Sequence, residues 1–171
     1  SFFNGQARVG FSGKFLSGDT NIVIHLLADQ LKNPLFAEQE LEKSKKRQIA
    51  GYKRSKESTR GNAMNNMLQA FYGSNHQNSP TNPDEAIEQI KGLTSEDLKN
   101  YHKEKYGLGS MVVVVVGDVD HVMMENLLKE SFGDWKQSSL KNKEEKNVGS
   151  KISNKVYVTM QDKTSTDFVV G

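Results

Sequence analysis

The chain has 171 residues, enough for one good hydrophobic core or two small ones. Its 23 Lys and Arg nearly balance 21 Asp and Glu, and a net charge of +2 gives no general electrostatic case for nucleic acid or a membrane surface. Cysteine is absent, which excludes disulfides and thiolate metal sites, and a hydrophobic content of 35% is low for a domain that covers its own core.

In chain order, Ala7, Val9 and Phe11 alternate among glycines and lead to Phe15, which predicts one strand over about 6–16. Ser17 to Thr20 form a turn with capping residues. Ile22, Ile24, Leu26, Leu27 and Leu31 then recur at helical spacing, predicting a helix over 18–32 that Asn33 and Pro34 end. Glu38, Glu40 and Glu42 precede Lys43, Lys45, Lys46 and Arg47, an order that suits the helix dipole and predicts a long solvated helix over 38–57. The flanking acids argue against reading its basic half as a nucleic-acid surface. After a break at Ser58 to Gly61, Met64, Met67, Leu68, Phe71 and Tyr72 form a core-facing stripe on a helix over 60–72. Residues 73–83, rich in Ser, Asn and Pro, read as an exposed loop, and 84–90 as a short helix.

Thr94 followed by Asp97 starts a helix over 94–106, which Gly107 and Gly109 stop. Met111 and the five valines to Val116 fall far short of the about twenty apolar residues of a membrane span, and predict a short strand over 111–116 buried on both faces. Asp120 is placed to cap a helix over 120–131 whose apolar side holds Val122, Met123, Leu127 and Leu128. Strand, turn and helix also describe a nucleotide-binding unit. Here, however, the turn offers only Gly117, and Asp118 and Asp120 would repel phosphate. Residues 136–155 read as a polar linker, with strands at 156–160 and 167–170 beyond it. No apolar run has signal-peptide or transmembrane form.

These elements predict an α+β fold, helices packed on a mainly antiparallel sheet that includes 6–16 and 111–116, incomplete at its ends. A helix-rich first subdomain with one strand spans 1–90, and a second α+β subdomain starts within 91–171, the boundary lying between Asn78 and Thr94. Open sheet edges predict a homodimer through 156–170 or 6–16.

The ordered set Leu93-Thr94-Ser95-Glu96-Asp97-Leu98, Tyr101-His102-Lys103-Glu104-Lys105-Tyr106, Ser110 to Asp120, and Phe132-Gly133-Asp134-Trp135 resembles the pitrilysin/insulinase-type (M16) zinc peptidases. Asn33, Pro34 and Phe36 carry the likeness upstream, where the family has the end of a core helix before a loop. The resemblance implies a metallopeptidase-half module like that of the mitochondrial processing peptidases, working within a pair of halves that close around a peptide. It also implies that a catalytic half holds zinc on a helix with two histidines four apart and a glutamate between them, plus a distant glutamate on a later helix.

The residues here do not supply that set. His25, His76, His102 and His121 include no pair four apart. By the resemblance the distant carboxylate belongs between Gln48 and Arg54, where the sequence reads Gln-Ile-Ala-Gly-Tyr-Lys-Arg with no acid from Lys43 to Lys56. Lys53, Arg54 and Lys56 further disfavour a cation. His25 reads as a hydrogen-bonded core or interface residue and His102 as a surface residue. His121 and Glu125 share a helix face, but two ligands make a poor zinc site. His76-Gln77-Asn78 stands where the family has His-Pro-Tyr. Without cysteine or a nucleophile-elbow serine, nucleophilic catalysis has no candidate.

The sequence therefore assigns no catalytic residue, no metal ligand and no substrate-binding residue. The resemblance implies a non-catalytic domain that helps enclose and position peptide for a zinc-bearing half, in the same polypeptide or a separate subunit, with zinc only in that half. The alternatives are a truncated piece of an active zinc metalloendopeptidase, or a structural scaffold without turnover. The expected compartment is the bacterial periplasm or cytoplasm, the periplasm preferred.

Overall fold

A computed structural model describes residues 1–5, 8–73, 76, 78–136 and 155–171. Two units emerge, one from the described parts of 1–37 and 95–142, the other from those of 38–94 and 143–171.

The first unit opens with a hairpin of β1 (Phe2–Asn4) and β2 (Val9–Phe11), paired antiparallel with Phe2 opposite Phe11. The single strand predicted over 6–16 is thus corrected. Asn4-Gly5 is a turn signal that folds the segment back, and the Gly5 amide donates to the Arg8 carbonyl at 2.8 Å. Gln6 and Ala7 lie outside the described residues. A short 3-10 turn at Ser17–Asp19 leads into α1 (Thr20–Lys32), and the Thr20 hydroxyl donates to the Ser17 carbonyl.

Three further elements complete the described part of this unit: α5 (Ser95–Lys105), a 3-10 turn at Leu108–Ser110, and α6 (His121–Phe132). Asp120 caps α6 as its position predicts, its side chain accepting from the Met123 amide at 2.8 Å. Ile24 and Ala28, one turn apart on α1, are buried against Met124, Leu127 and Phe132 of α6. Leu31, Leu108, Val115 and Trp135 pack around that contact. At its edge the Lys32 ammonium donates to the Ser131 carbonyl and to the Asp134 carboxylate.

The strand predicted over 111–116, buried on both faces, is corrected as well. Among the described residues the segment joins no sheet, and Val112, Val114 and Val116 are 85%, 79% and 92% exposed. Met111 and Val115 do pack on the helices, so exposure alternates with the two-residue period of a strand. Among the described residues the segment has no neighbouring strand to take its backbone hydrogen bonds and no second layer over its other face.

In the second unit α2 (Glu38–Lys56) packs against α3 (Thr59–Tyr72) and α4 (Pro83–Gly92). Ser58 caps α3 by accepting from the Gly61 amide, and Asn82 caps α4 by accepting from the Asp84 amide, with Pro83 in the first turn. Leu41, Ala86 and Ile87 are its buried apolar residues. Lys56 pairs with Asp84 at 2.7 Å, tying the end of α2 to the start of α4. The strands predicted at 156–160 and 167–170 are not formed. Tyr157, Phe168 and Val170 are largely exposed, and the segment is held to the helices by Thr59 donating to Asp167 and by Lys163 pairing with Glu57. Among the described residues the architecture is thus mostly helical with one small antiparallel sheet, compatible with α+β.

Two outcomes are expected. Phe132→Ala, at a site only 3% exposed, removes the largest buried side chain of the α1–α6 contact. It should cost about 3–5 kcal/mol in urea unfolding. The hydrogen bond from Lys32 holds the Asp134 carboxyl below the ordinary carboxylate range. A depressed folded-state value stabilises at neutral pH and loses that contribution as pH falls through it, so acid should shift the urea midpoint of the native chain more than that of Asp134→Asn.

Candidate functional site

The long helix α2 is cationic on most of its surface, with Lys46, Arg47, Lys53 and Arg54 exposed. One stripe differs. Gln48, Gly51, Tyr52 and Ser55 follow one another at i, i+3, i+4 and i+7, which places them on a single face. They floor an open groove of about 420 Å³ whose other wall is Asn65 of α3, with Pro80, Thr81 and Pro83 entering α4. None of the eight lining residues carries a charge.

Local contacts hold this shape. The Ser55 hydroxyl donates to the Tyr52 carbonyl at 2.8 Å. The Gln69 amide donates to the Pro80 carbonyl at 3.1 Å, pinning the segment before α4 to α3. Beside Pro80, the buried Ser79 hydroxyl has no hydrogen-bond partner among the described residues.

The resemblance marks 48–54 as the place to look for a zinc ligand, and Gln48, Gly51 and Tyr52 of that window lie in the floor of this groove. The residues found there do not fit the ion. Zn²⁺ takes imidazole, thiolate or carboxylate, whereas this face offers an amide, a phenol and a hydroxyl. Among the described residues no three of His, Asp and Glu come close enough to hold a metal.

The four histidines are placed separately. His25 is exposed, and its Nδ1 lies 3.3 Å from the buried Ser131 hydroxyl of α6, at the edge of the α1–α6 contact and not in its core. His102 departs from the predicted surface position: it is half-buried, its Nε2 lies 2.8 Å from the Leu31 carbonyl, and its ring sits among Phe36, Tyr106 and Trp135. His76 stacks on Tyr72, and its Nδ1 accepts from the Asn78 amide. His121 begins α6, while Glu125 pairs not with it but with Lys129 at 2.6 Å.

Shifted titrations follow this same pattern of local contacts. The Lys129 hydrogen bond lowers the Glu125 carboxyl, and burial, then the neighbouring Tyr101, raises the Tyr106 phenol. Neither group lines the groove.

Comparison with known proteins bears on which kind of module this is. A family model described as the peptidase M16 inactive domain matches residues 92–171. This part of the chain is thus similar to the M16 peptidase inactive domain. Relatives of the whole chain agree in kind. It is 22% identical over 142 residues to an uncharacterised zinc protease of Rickettsia felis, covering 82% of this chain and 34% of that protein. It is 24% identical over 132 residues to a probable mitochondrial-processing peptidase subunit beta of Arabidopsis thaliana, covering 76% of this chain and 24% of that one. The chain thus spans about a third and about a quarter of the length of these curated relatives. No solved structure gives a significant match.

The M16 segment begins at Gly92, where α4 ends, and includes α5, the valine run and α6. The groove is carried by residues that precede it. Sequence reasoning missed that groove, although an uncharged stripe at helical spacing in a cationic helix was a signal for it. Asn82→Ala removes the cap of α4 between two groove residues and should cost about 1 kcal/mol in urea unfolding, with the helix content of the native state retained.

Proposed function

We propose that this chain is a non-catalytic M16-type domain that helps enclose and position a peptide for a zinc-bearing M16 half. The observation that carries the reading is the absence of any carboxylate on α2 from Lys43 to Lys56, in a chain whose residues 92–171 match the inactive domain. A catalytic zinc needs three fixed ligands and an open position for water, and a helix offering Gln48, Tyr52 and Ser55 toward its groove completes no such set. Zinc would then reside in the partner half alone. That half belongs to the same polypeptide or to a separate subunit, as the likeness to a processing-peptidase subunit favours.

The test is a peptidase assay on a quenched peptide. The chain by itself is expected to give no turnover with or without Zn²⁺. A zinc-bearing M16 half mixed with it is expected to cleave faster than that half alone. Chelator-sensitive cleavage by this chain alone would overturn the reading, and so would a partner half whose rate the chain leaves unchanged.

A further inference from the structure

The groove on α2 has unspent hydrogen-bonding capacity beside a helix whose other side-chain amides are engaged. Three side-chain amides of α3 are engaged within the protein. Asn62 donates to the Lys56 and Ser58 carbonyls, Asn66 to the Asn62 carbonyl, and Gln69 to the Pro80 carbonyl. Asn65, on the same helix and half-buried in the groove wall, makes no such bond among the described residues. The amide of Gln48 across the groove floor is likewise unengaged among them.

An amide side chain presents N–H donors and a C=O acceptor, so it can pair with both the C=O and the N–H of a peptide unit. Two of them in one groove can hold a chain by its backbone without reading its charge. Tyr52, Pro80 and Pro83 add apolar walls against which uncharged side chains can lie. Gly51 leaves the floor flat, for a Cβ built there meets nothing within 4 Å. A basic segment finds no counter-ion in the lining and is repelled by exposed Lys53 and Arg54 on the neighbouring faces of the helix, and an acidic one finds its counter-ions outside the groove, not in it.

We propose that this groove is a binding site for an extended, uncharged stretch of polypeptide, with the Asn65 and Gln48 amides pairing to its main-chain N–H and C=O groups and Tyr52 packing on a side chain. The inference rests on the peptide-handling reading above and gives that reading an address and a substrate class. The site is a holding surface and makes no bond to break.

Amide chemical shifts of the full chain, titrated with a capped peptide of Ala, Gln, Ser and Pro, test it. The same peptide with an N-methylated backbone, and maltoheptaose as an uncharged saccharide, serve as comparison probes. The expected result is perturbation at residues 48–55, 65 and 80–83 by the plain peptide only. Asn65→Ala should weaken binding roughly two- to tenfold, the worth of one neutral hydrogen bond. Gly51→Leu, which fills open space and favours the helix, should weaken it by about tenfold or more while circular dichroism is unchanged. Binding that perturbs other residues and ignores Gly51→Leu would overturn the groove and leave the peptide-handling reading standing. No binding of any peptide would overturn both. Equal response to the N-methylated peptide or to maltoheptaose would overturn the backbone-pairing chemistry.

Discussion

Charge along one helix decides what this molecule can do. From Lys43 to Lys56, α2 carries cations on its solvent faces and an uncharged stripe of Gln48, Gly51, Tyr52 and Ser55 on the face that floors a groove. A zinc ion held there would need imidazole, thiolate or carboxylate ligands and relief from the surrounding ammonium and guanidinium groups. Neither is present. The same neutrality that disfavours a metal suits an uncharged chain, so one property separates the two chemistries.

The helices were legible because their signals are local. Caps and apolar periodicity lie within a few residues of one another, and Asp120 before α6 or Ile24, Leu27 and Leu31 on α1 needed no distant partner to be read, although Ile22 and Leu26 of the predicted stripe are exposed. Strands were not, because a ladder is a property of pairs. Val112 to Val116 alternate their exposure as a strand would but find no neighbour among the described residues. The hairpin at the start is masked in the sequence because the alternation from Ala7 to Phe11 is a stronger signal than the short Asn4-Gly5 turn before it.

The candidate site was half legible for a similar reason. Its floor falls in one window of α2, which the resemblance to M16 peptidases had already marked for a different purpose. Its wall comes from Asn65 and from Pro80 to Pro83, brought in by the packing of α3 and α4 on α2 and by the Gln69 bond to Pro80. Nothing in the sequence near Gln48 points to Asn65. Exposed apolar side chains elsewhere include Ile22 and Leu26 on α1 and Val122 and Met123 on α6, in keeping with the low hydrophobic content.

Diffraction at the zinc absorption edge, from crystals of the chain soaked in Zn²⁺, tests the central claim most directly. The expected map shows no ion coordinated by side chains of residues 48–54. An ordered zinc held by those side chains, with further protein ligands closing a tetrahedral site, would contradict it.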